Sequence, residues 1–461
     1  MAIALIVAPV AARPPAGYRA PVDGFAVVGG KVVTPRGVRE AAVLVRGGRI
    51  AGVGRVPARC ETVSAQGLLV LPGAIDAHVH LALPVAGTRS ADDFASGTRA
   101  AAAGGVTTVL DFTVGEPGVP LRDQIERRLA QAREAVVDFA LRAEMVGWTP
   151  DRGDELAAAA ELGVRSFKFF LAYAASDRRT PLRILRDAMV AIRKLGGVAM
   201  VHAEAEELVD PHGGPFPRAR PPLAEEVAIA EVGILARDTG CPTYIAHVST
   251  AQGLVALQAA RRAGAPLVGE TCPHYLLLDE AVYARPDGHR FSVTPPLRTV
   301  ADRDALWRAV ARRGLQAVST DHCPFTNAQK DARRDEPAQL PSGLPGVETL
   351  LPLLYSEGVA QGRITLRDLA WYLGEGPARA FGLWPRKGGI RVGADADLVL
   401  VDPHGSSTIE AGKLHMATDF SPYQGFPVRG RIVGVLSRGE WLVRDGELLA
   451  QLGWGEFIPW R

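Results

Sequence analysis

The sequence predicts an α/β protein, a (β/α)8 TIM-like barrel with a second, smaller β-sandwich domain built from both ends of the chain. Through the centre, apolar strand-like runs alternate with Ala-, Leu- and Arg-rich helical stretches, the pattern of βα units around a parallel sheet. Short β-rich segments broken by Gly lie on both sides of this centre. Side chains that can bind a metal follow several central runs, at the end where a barrel places its active site.

The barrel is predicted from eight candidate strands, which are 69–75, 107–112, 139–146, 165–171, 197–202, 242–247, 266–271 and 315–320. Helix candidates between them include 121–135, 182–195, 222–239 and 251–263. Eight βα repeats over roughly 300 residues fit a closed barrel. A doubly wound open sheet is the alternative, but it does not bring side chains from the whole chain to one point.

The two ends of the chain are predicted to form the second domain, because β-rich runs near residue 25 return near residues 396 and 430. We expect five segments along the chain: an N-terminal extension at 1–23, the first part of the β-sandwich at 24–68, the barrel at 69–388, the second part of the sandwich at 389–446, and a C-terminal tail at 447–461 that is expected at an oligomer interface.

Composition excludes several classes of protein. The 461 residues are 47% hydrophobic and 22% charged, which fits a globular enzyme rather than a disordered chain. A net charge of +2 gives no basis for binding nucleic acid or an anionic membrane. No stretch reaches the roughly 18 apolar residues that a membrane span needs. The four cysteines are scattered without a CxxC pair, which predicts a reducing, cytoplasmic location.

The clearest chemical signal is a His-x-His pair, His78 and His80, at the end of the first candidate strand. Side chains two apart in a strand face the same side, so both imidazoles can reach one metal ion. Taken alone, such a histidine is more often an ordinary strand-end residue. The prediction therefore depends on recurrence at other strand ends. Four more candidate ligands lie at or near those ends: Lys168, His202, His247 and Asp321.

The residue types indicate the metal and its chemistry. Neutral imidazoles and a carboxylate suit a divalent metal such as zinc and leave positions open for water. Such a metal lowers the pKa of its bound water to about 7. Asp321 is suited to take that proton and pass it to a leaving nitrogen, as a general acid and base.

Lys168 lies in an aromatic run, between Phe167 and the pair Phe169 and Phe170. Burying a charged ammonium there is costly, so its pKa is expected to fall and the neutral amine to become available. A neutral amine can add carbon dioxide to give a carbamate, an anion that can bridge two cations. The alternative, which the local sequence alone favours, is a lysine that extends to solvent or pairs with a carboxylate.

Two further histidines lie close to the same strand ends. His322, next to Asp321, is expected to point to the opposite face if the strand continues there. His274 follows the seventh candidate strand, and both directions stay open for its ring.

Several motifs together resemble the amidohydrolase superfamily, in its cyclic amidohydrolase branch of dihydropyrimidinases (hydantoinases), allantoinases and dihydroorotases. The likeness extends from about Phe25 to Pro459 and rests on the runs Pro72–Leu81 and Thr320–Phe325, on Lys168 and on the strand-end histidines. It implies two zinc ions per subunit, bridged by a carboxylated Lys168 (N6-carboxylysine). By the same resemblance, one metal is held by His78, His80 and Asp321, and the other by His202 and His247.

Within this branch the chain most resembles dihydropyrimidinase. The runs 91–94, 295–298 and 453–459 are similar to that family. Tyr173, five residues after Lys168, matches the tyrosine with which that family binds the ring and stabilises the oxyanion. The resemblance also implies substrate contacts at Thr294 and Ser342, where relatives usually carry Ser and Asn.

The implied activity opens a dihydropyrimidine or 5-substituted hydantoin ring to an N-carbamoyl amino acid. A metal-bridging hydroxide would attack, with Asp321 as the proton shuttle and Tyr173 as a second catalytic residue. Allantoinase is the main alternative, because the runs 270–275 and 420–423 also occur in allantoinase-like sequences. Dihydroorotase, a single-metal nucleobase deaminase with Glu204 as shuttle, and a non-catalytic dihydropyrimidinase-related scaffold are further alternatives. The expected partners are a small cyclic amide and further copies of the chain, in a homotetramer or dimer.

Overall fold

The computed structural model describes residues 24–57 and 60–460, so the predicted extension at 1–23 lies outside the described residues. Seven strands precede the barrel: β1 (Phe25–Val28), β2 (Lys31–Thr34), β3 (Gly37–Glu40), β4 (Ala42–Arg46), β5 (Arg49–Gly54), β6 (Glu61–Ser64) and β7 (Leu69–Pro72). Within the described part of the chain, no helix is both long and apolar enough to cross a membrane.

The central strands are β8 (Ala74–Asp76), the short hairpin β9 (Pro84–Val85) and β10 (Thr88–Arg89), then β11 (Val106–Phe112), β12 (Asp138–Glu144), β13 (Ser166–Phe170), β14 (Val198–His202), β15 (Thr243–Ile245), β16 (Leu267–Thr271) and β17 (Ala317–Val318). All but the hairpin form one parallel eight-stranded sheet in the order β17-β16-β15-β14-β13-β12-β11-β8. Seven of the eight candidate strands match the observed ones to within two residues at either end, and the predicted fold class is confirmed.

The α-helices of the described residues are α1 (Phe94–Ala103), α2 (Leu121–Gln131), α3 (Asp154–Glu161), α4 (Leu182–Lys194), α5 (Pro222–Thr239), α6 (Ala251–Arg262), α7 (Pro273–Leu277), α8 (Val300–Ala311), α9 (Asn327–Asp331), α10 (Leu350–Leu353), α11 (Leu366–Ala370) and α12 (Gly376–Ala380). The sequence of α4 shows why such segments are helical. Its buried residues Leu185, Ala188, Met189 and Ile192 occupy positions i, i+3, i+4 and i+7, so one apolar stripe faces the barrel.

Four strands follow the barrel: β18 (Leu398–Thr408), β19 (Pro427–Ser437), β20 (Glu440–Arg444) and β21 (Glu447–Leu448). They join β7, β2 and β3 in a seven-stranded sheet, while β5, β4, β1 and β6 form a second sheet of four strands. One apolar cluster contains Val43 and Val45 of the smaller sheet and Leu398 and Leu400 of the larger one. The two sheets therefore share a core, and a separate sheet-rich domain is assembled from both ends of the chain.

The barrel closes between the segment after β8 and the segment after β17. Val79 and His322 form a parallel bridge across this gap. The backbone amide of His80 donates to the His322 carbonyl at 2.7 Å, and the His322 amide donates to the His78 carbonyl at 3.3 Å. The closing segments are thus the same ones that carry the His-x-His pair and Asp321.

The first candidate strand, 69–75, is divided in the structure. β7 pairs with β18 and β2 in the sheet-rich domain, whereas β8 begins the barrel. Gly73 separates them, and a Cβ at this position would overlap the Thr107 side chain and crowd Asp397. The chain crosses between the domains at a point where only glycine fits. The predicted domain limits, including the boundary at 69, stay predictions.

Lys387 joins the barrel to the sheet-rich domain. Its Nζ is fully buried and lies 2.5 Å from Asp138, 2.7 Å from Asp397 and 3.0 Å from Asp395. Asp138 begins β12, whereas the other two carboxylates lead into β18. Burial alone would lower the pKa of this lysine, but the surrounding carboxylates raise it, so the ammonium stays charged.

The C-terminal tail packs against the start of β12. The Phe139 amide donates to the Glu456 carbonyl at 2.9 Å, and the Ile458 amide donates to the Phe139 carbonyl at 2.7 Å. The Glu456 amide donates to Asp138 at 2.9 Å, so the tail reaches the carboxylate that also binds Lys387. The expected oligomer interface at 447–461 stays a prediction.

Replacing Lys387 with Met is expected to destabilise the protein strongly. Removing one partner of a buried charge cluster typically costs about 3–5 kcal/mol, because the remaining carboxylates are left uncompensated. The matched control is Lys413→Met, whose lysine is 72% exposed and pairs with Glu410 at the surface, where such a pair contributes about 0–1 kcal/mol. Urea unfolding midpoints measure both effects. Equal midpoints for the two variants would contradict the role of Lys387.

Candidate metal centre

His78 and His80 direct their Nε2 atoms to one point, where these atoms lie 3.2 Å apart. Asp321 reaches the same point from the segment after β17. Its Oδ1 lies 3.0 Å from His78 Nε2 and 3.1 Å from His80 Nε2. The three side chains form a group whose ligand atoms all lie within 4.8 Å of one another.

A second histidine pair lies beside this group. His202 ends β14 and His247 lies two residues beyond β15. His202 Nδ1 is 3.0 Å from His247 Nε2. The His247 and His78 rings stack with 5.6 Å between their centroids. Five predicted ligands from four strands therefore meet in one bowl at the carboxyl end of the barrel.

Lys168, the sixth, is the third residue of β13 and is 1% exposed. Its Nζ lies 5.5 Å from the ring centroid of Phe112 and 5.2 Å from that of Phe170. Burial lowers the pKa of this amine to about 8, although the Asp321 carboxylate acts in the opposite direction. The neutral amine, the form that reacts with carbon dioxide, is thus populated near neutral pH.

The donor set fits zinc. A tetrahedral zinc ion with bonds of about 2.0–2.1 Å to nitrogen separates its ligands by about 3.3 Å, close to the donor separations around His78 and His202. Burial lowers the pKa of His78 and His247 well below the ordinary value, so both rings are neutral and have a free lone pair. Burial would raise the pKa of Asp321, but the adjacent histidines lower it well below its usual range.

Buried carboxylates orient two of these rings from behind. Glu270, in β16, lies 2.5 Å from His78 Nδ1 and accepts the Tyr244 hydroxyl at 2.9 Å. Glu204 lies 2.7 Å from His202 Nε2. These contacts leave Nε2 of His78 and Nδ1 of His202 directed to the bowl, the arrangement typical of metal-binding histidines.

The sequence analysis considered Glu270 only as part of the allantoinase-like run 270–275, without a partner, and Glu204 only as the proton shuttle of a deaminase. A carboxylate inside an otherwise apolar strand was the available signal for Glu270, because such a group needs a buried partner. In the structure, the Glu204 carboxylate is already bound by an arginine. The Arg220 guanidinium holds its carboxylate through Nε at 3.0 Å and a second, shorter bond.

Tyr173 follows β13 and lies beside the second histidine pair. Its ring centroid is 5.0 Å from that of His202, and its hydroxyl donates to Thr294 Oγ1 at 2.9 Å. Burial raises the pKa of the phenol to about 12, so it keeps its proton and can donate a hydrogen bond at neutral pH. Its backbone is left-handed, with φ 76° and ψ 42°, which for a residue with a Cβ costs roughly 1–2 kcal/mol.

Thr294 and Ser342 lie on two loops that are held together. The Gly343 amide donates to the Ser292 carbonyl at 2.9 Å. The buried Lys330 Nζ donates to both Ser292 O and Gly343 O, at 2.9 and 2.8 Å. The Ser342 hydroxyl donates to the Leu340 carbonyl at 3.3 Å.

The two further histidines near the strand ends, His322 and His274, have different surroundings. The His322 ring lies 3.1 Å from Asp92 and accepts the Gly346 amide at 3.1 Å, so it braces the closing segments rather than joining the ligand group. His274 is buried, and its Nε2 has no hydrogen-bond partner among residues 24–57 and 60–460. Burial lowers the pKa of this ring to about 4, while Asp321 opposes the shift.

The chain is similar in sequence to known proteins along nearly its whole length. The sequence profile of the amidohydrolase family matches residues 69–210 and 246–442. The chain is 38% identical over 450 residues to a D-hydantoinase of Geobacillus stearothermophilus, covering 93% of this chain and 95% of that protein.

Solved structures are similar to this chain over nearly its whole length. A crystal structure of a D-hydantoinase superposes with a TM-score of 0.92 at 36% identity, covering 95% of this chain and 99% of the other. The dihydropyrimidinase from Brevibacillus agri NCHU1002 superposes with a TM-score of 0.91 at 33% identity, covering 95% and 98%.

Changing Glu270 to Gln is expected to weaken metal binding by about 10- to 100-fold, because partners of ligating histidines have effects of this size. Glu348→Gln is the matched control, since Glu348 binds His415 at 2.8 Å outside the ligand group. Zinc affinity is measured by competition with a chromogenic chelator. Equal zinc affinity in the two variants would contradict the orienting role of Glu270.

Proposed function

The chain belongs to the amidohydrolase family, and on that premise we propose that it is a binuclear zinc hydrolase that opens a cyclic amide. The proposed substrates are a dihydropyrimidine or a 5-substituted hydantoin, and the product is an N-carbamoyl amino acid. The observation that carries the proposal is the convergence of His78, His80, His202, His247 and Asp321 around a buried lysine. The D-hydantoinase and dihydropyrimidinase names of the relatives support the substrate class.

Two zinc ions bridged by a carboxylated Lys168 are the proposed cofactor. The carbamate forms when the neutral amine attacks carbon dioxide and loses one proton. The lowered pKa of Lys168 supports this step, because the amine does not first have to be deprotonated at great cost. His78, His80 and Asp321 would hold one ion, and His202 and His247 the other.

When bound, the metals would supply a water acidified for attack and would polarise the ring carbonyl. Asp321 would accept the proton of the attacking water and deliver it to the departing ring nitrogen. The protonated Tyr173 hydroxyl would donate to the carbonyl oxygen as negative charge develops there. The loops of Thr294 and Ser342 would hold the amide edge of the ring, largely through their backbone groups.

Allantoinase is the second candidate, favoured by the runs 270–275 and 420–423. The placement of Tyr173 between Thr294 and the second histidine pair favours the ring-opening of dihydropyrimidines and hydantoins instead. A single-metal deaminase is disfavoured because Glu204 is bound by Arg220 and would be a poor proton shuttle. A non-catalytic scaffold is disfavoured because the full ligand set is present.

We also propose a cytoplasmic homo-oligomer, a tetramer or a dimer. The four cysteines are unpaired, as expected in a reducing compartment. The oligomer is proposed from the resemblance to dihydropyrimidinases.

Lys168→Ala is expected to abolish hydrolysis and to lower the metal content, with partial rescue of both by a short carboxylic acid that takes the place of the carbamate. Lys194→Ala is the control, since this lysine is exposed on α4. Rates and zinc per subunit are measured with and without propionate. Full activity of Lys168→Ala without added acid would contradict the bridging role.

A side-by-side assay of dihydrouracil, hydantoin, allantoin and dihydroorotate is expected to give the highest kcat/KM for dihydrouracil or hydantoin. The expectation follows from Tyr173, whose spacing from Lys168 resembles that of the ring-binding tyrosine of dihydropyrimidinases and whose hydroxyl keeps its proton at neutral pH. Turnover of allantoin alone would replace the proposed substrate class with that of allantoinase.

A further inference from the structure

The backbone of Tyr173 adopts a conformation that its side chain disfavours. At φ 76° and ψ 42° the residue lies in the left-handed region, which glycine enters freely and a residue with a Cβ does not. The strand β13 ends three residues earlier, and Tyr173 precedes a short 3-10 turn in which its carbonyl accepts the Ser176 amide at 3.1 Å. That turn engages the carbonyl and leaves the Tyr173 amide for another acceptor. A left-handed tyrosine beside a metal centre requires a contact that stabilises it.

Glu206 supplies that contact from the neighbouring loop. One carboxylate oxygen accepts the Tyr173 amide at 2.5 Å, and the other accepts the Ala174 amide at 3.3 Å. Glu206 begins a short 3-10 turn, Glu206–Leu208, four residues after His202. The side chain therefore ties the loop after β13, which carries Tyr173, to the loop after β14, which follows directly on His202.

The contact acts on the orientation of the phenol. Two successive amides bound by one carboxylate fix the peptide planes on both sides of the Tyr173 Cα, and the direction of the side chain follows from those planes. On its other side the Tyr173 ring meets the Arg220 guanidinium at 5.0 Å, and its hydroxyl meets Thr294. Of these contacts, only the one made by Glu206 reaches the backbone.

We propose that Glu206 is a positioning residue, which holds the left-handed turn at Tyr173 so that the phenol points at the reacting carbonyl. The inference rests on the proposed function, because Glu206 acts only through the Tyr173 hydroxyl and has no chemistry of its own. Loss of Glu206 should therefore affect the transition state more than the binding of the substrate.

The experiment compares four single variants, and the double variant of Glu206→Ala with Tyr173→Phe, with the zinc-loaded enzyme, using hydantoin or dihydrouracil as the substrate. Glu206→Ala removes both bonds, and Glu206→Gln keeps one acceptor oxygen. Tyr173→Phe removes the hydroxyl alone. Glu207→Ala is the matched control, since this neighbouring glutamate is 66% exposed and pairs with Arg179 at the surface. Steady-state kinetics give kcat and KM, and thermal midpoints and zinc content show that each variant is folded and loaded.

The expected result is a loss in kcat of roughly tenfold or more for Glu206→Ala, a smaller loss for Glu206→Gln, little change in KM, and activity near that of the wild type for Glu207→Ala. The decisive readout is the double variant. In the Tyr173→Phe background, Glu206→Ala should lower kcat by less than about twofold, because the hydroxyl that it positions is already absent.

The outcomes separate the two proposals. If Tyr173→Phe is as active as the wild type, the role of Tyr173 in the proposed function is wrong. If Tyr173→Phe is impaired but Glu206→Ala has full kcat, only the inference about Glu206 is overturned. An equal loss from Glu206→Ala in both backgrounds also overturns it, since the glutamate would then act by another route. If Glu206→Ala does not fold, the same comparison with Glu206→Gln decides the question.

Discussion

The pairing of the backbone between His78–His80 and His322 is the interaction on which the candidate site depends. These bonds close the eight-stranded barrel, and they also bring Asp321 within 3.1 Å of both Nε2 atoms. Closure and ligand assembly are therefore a single event. The buried His322 ring supports it by binding Asp92 and the Gly346 amide, which fixes the closing segments against α1 and against the loop before α10.

Burial then determines the protonation of the groups in the bowl. Because the imidazoles of His78 and His247 lose solvation, their neutral, ligating forms are favoured, and the same effect makes the neutral amine of Lys168 accessible. Glu270 and Glu204 fix which ring nitrogen faces the bowl. Desolvation and the hydrogen bonds made behind the rings thus favour the cation-binding forms of these side chains, and the Asp321 carboxylate remains ionised.

Much of this architecture was predictable, because local rules govern it. Strand periodicity places His78 and His80 on one face, and the convergence of parallel strands brings His202, His247 and Asp321 to the same end. What could not be predicted depends on contacts between distant segments. The sequence around Gly73 gives no sign that Thr107 and Asp397 approach it. The sequence around Glu206 likewise gives no sign that its carboxylate accepts the Tyr173 amide. The role of Lys387 likewise becomes evident only from its ion pairs with three aspartates from two domains.

Our proposal is a binuclear centre formed by the six side chains and bridged by a modified lysine. Anomalous diffraction at the zinc edge from crystals grown with zinc and bicarbonate tests it most directly. Two peaks about 3.5–4 Å apart are expected, one beside His78, His80 and Asp321 and the other beside His202 and His247, with continuous density extending from Lys168 Nζ between them. A single peak, with an unmodified Lys168, would contradict it.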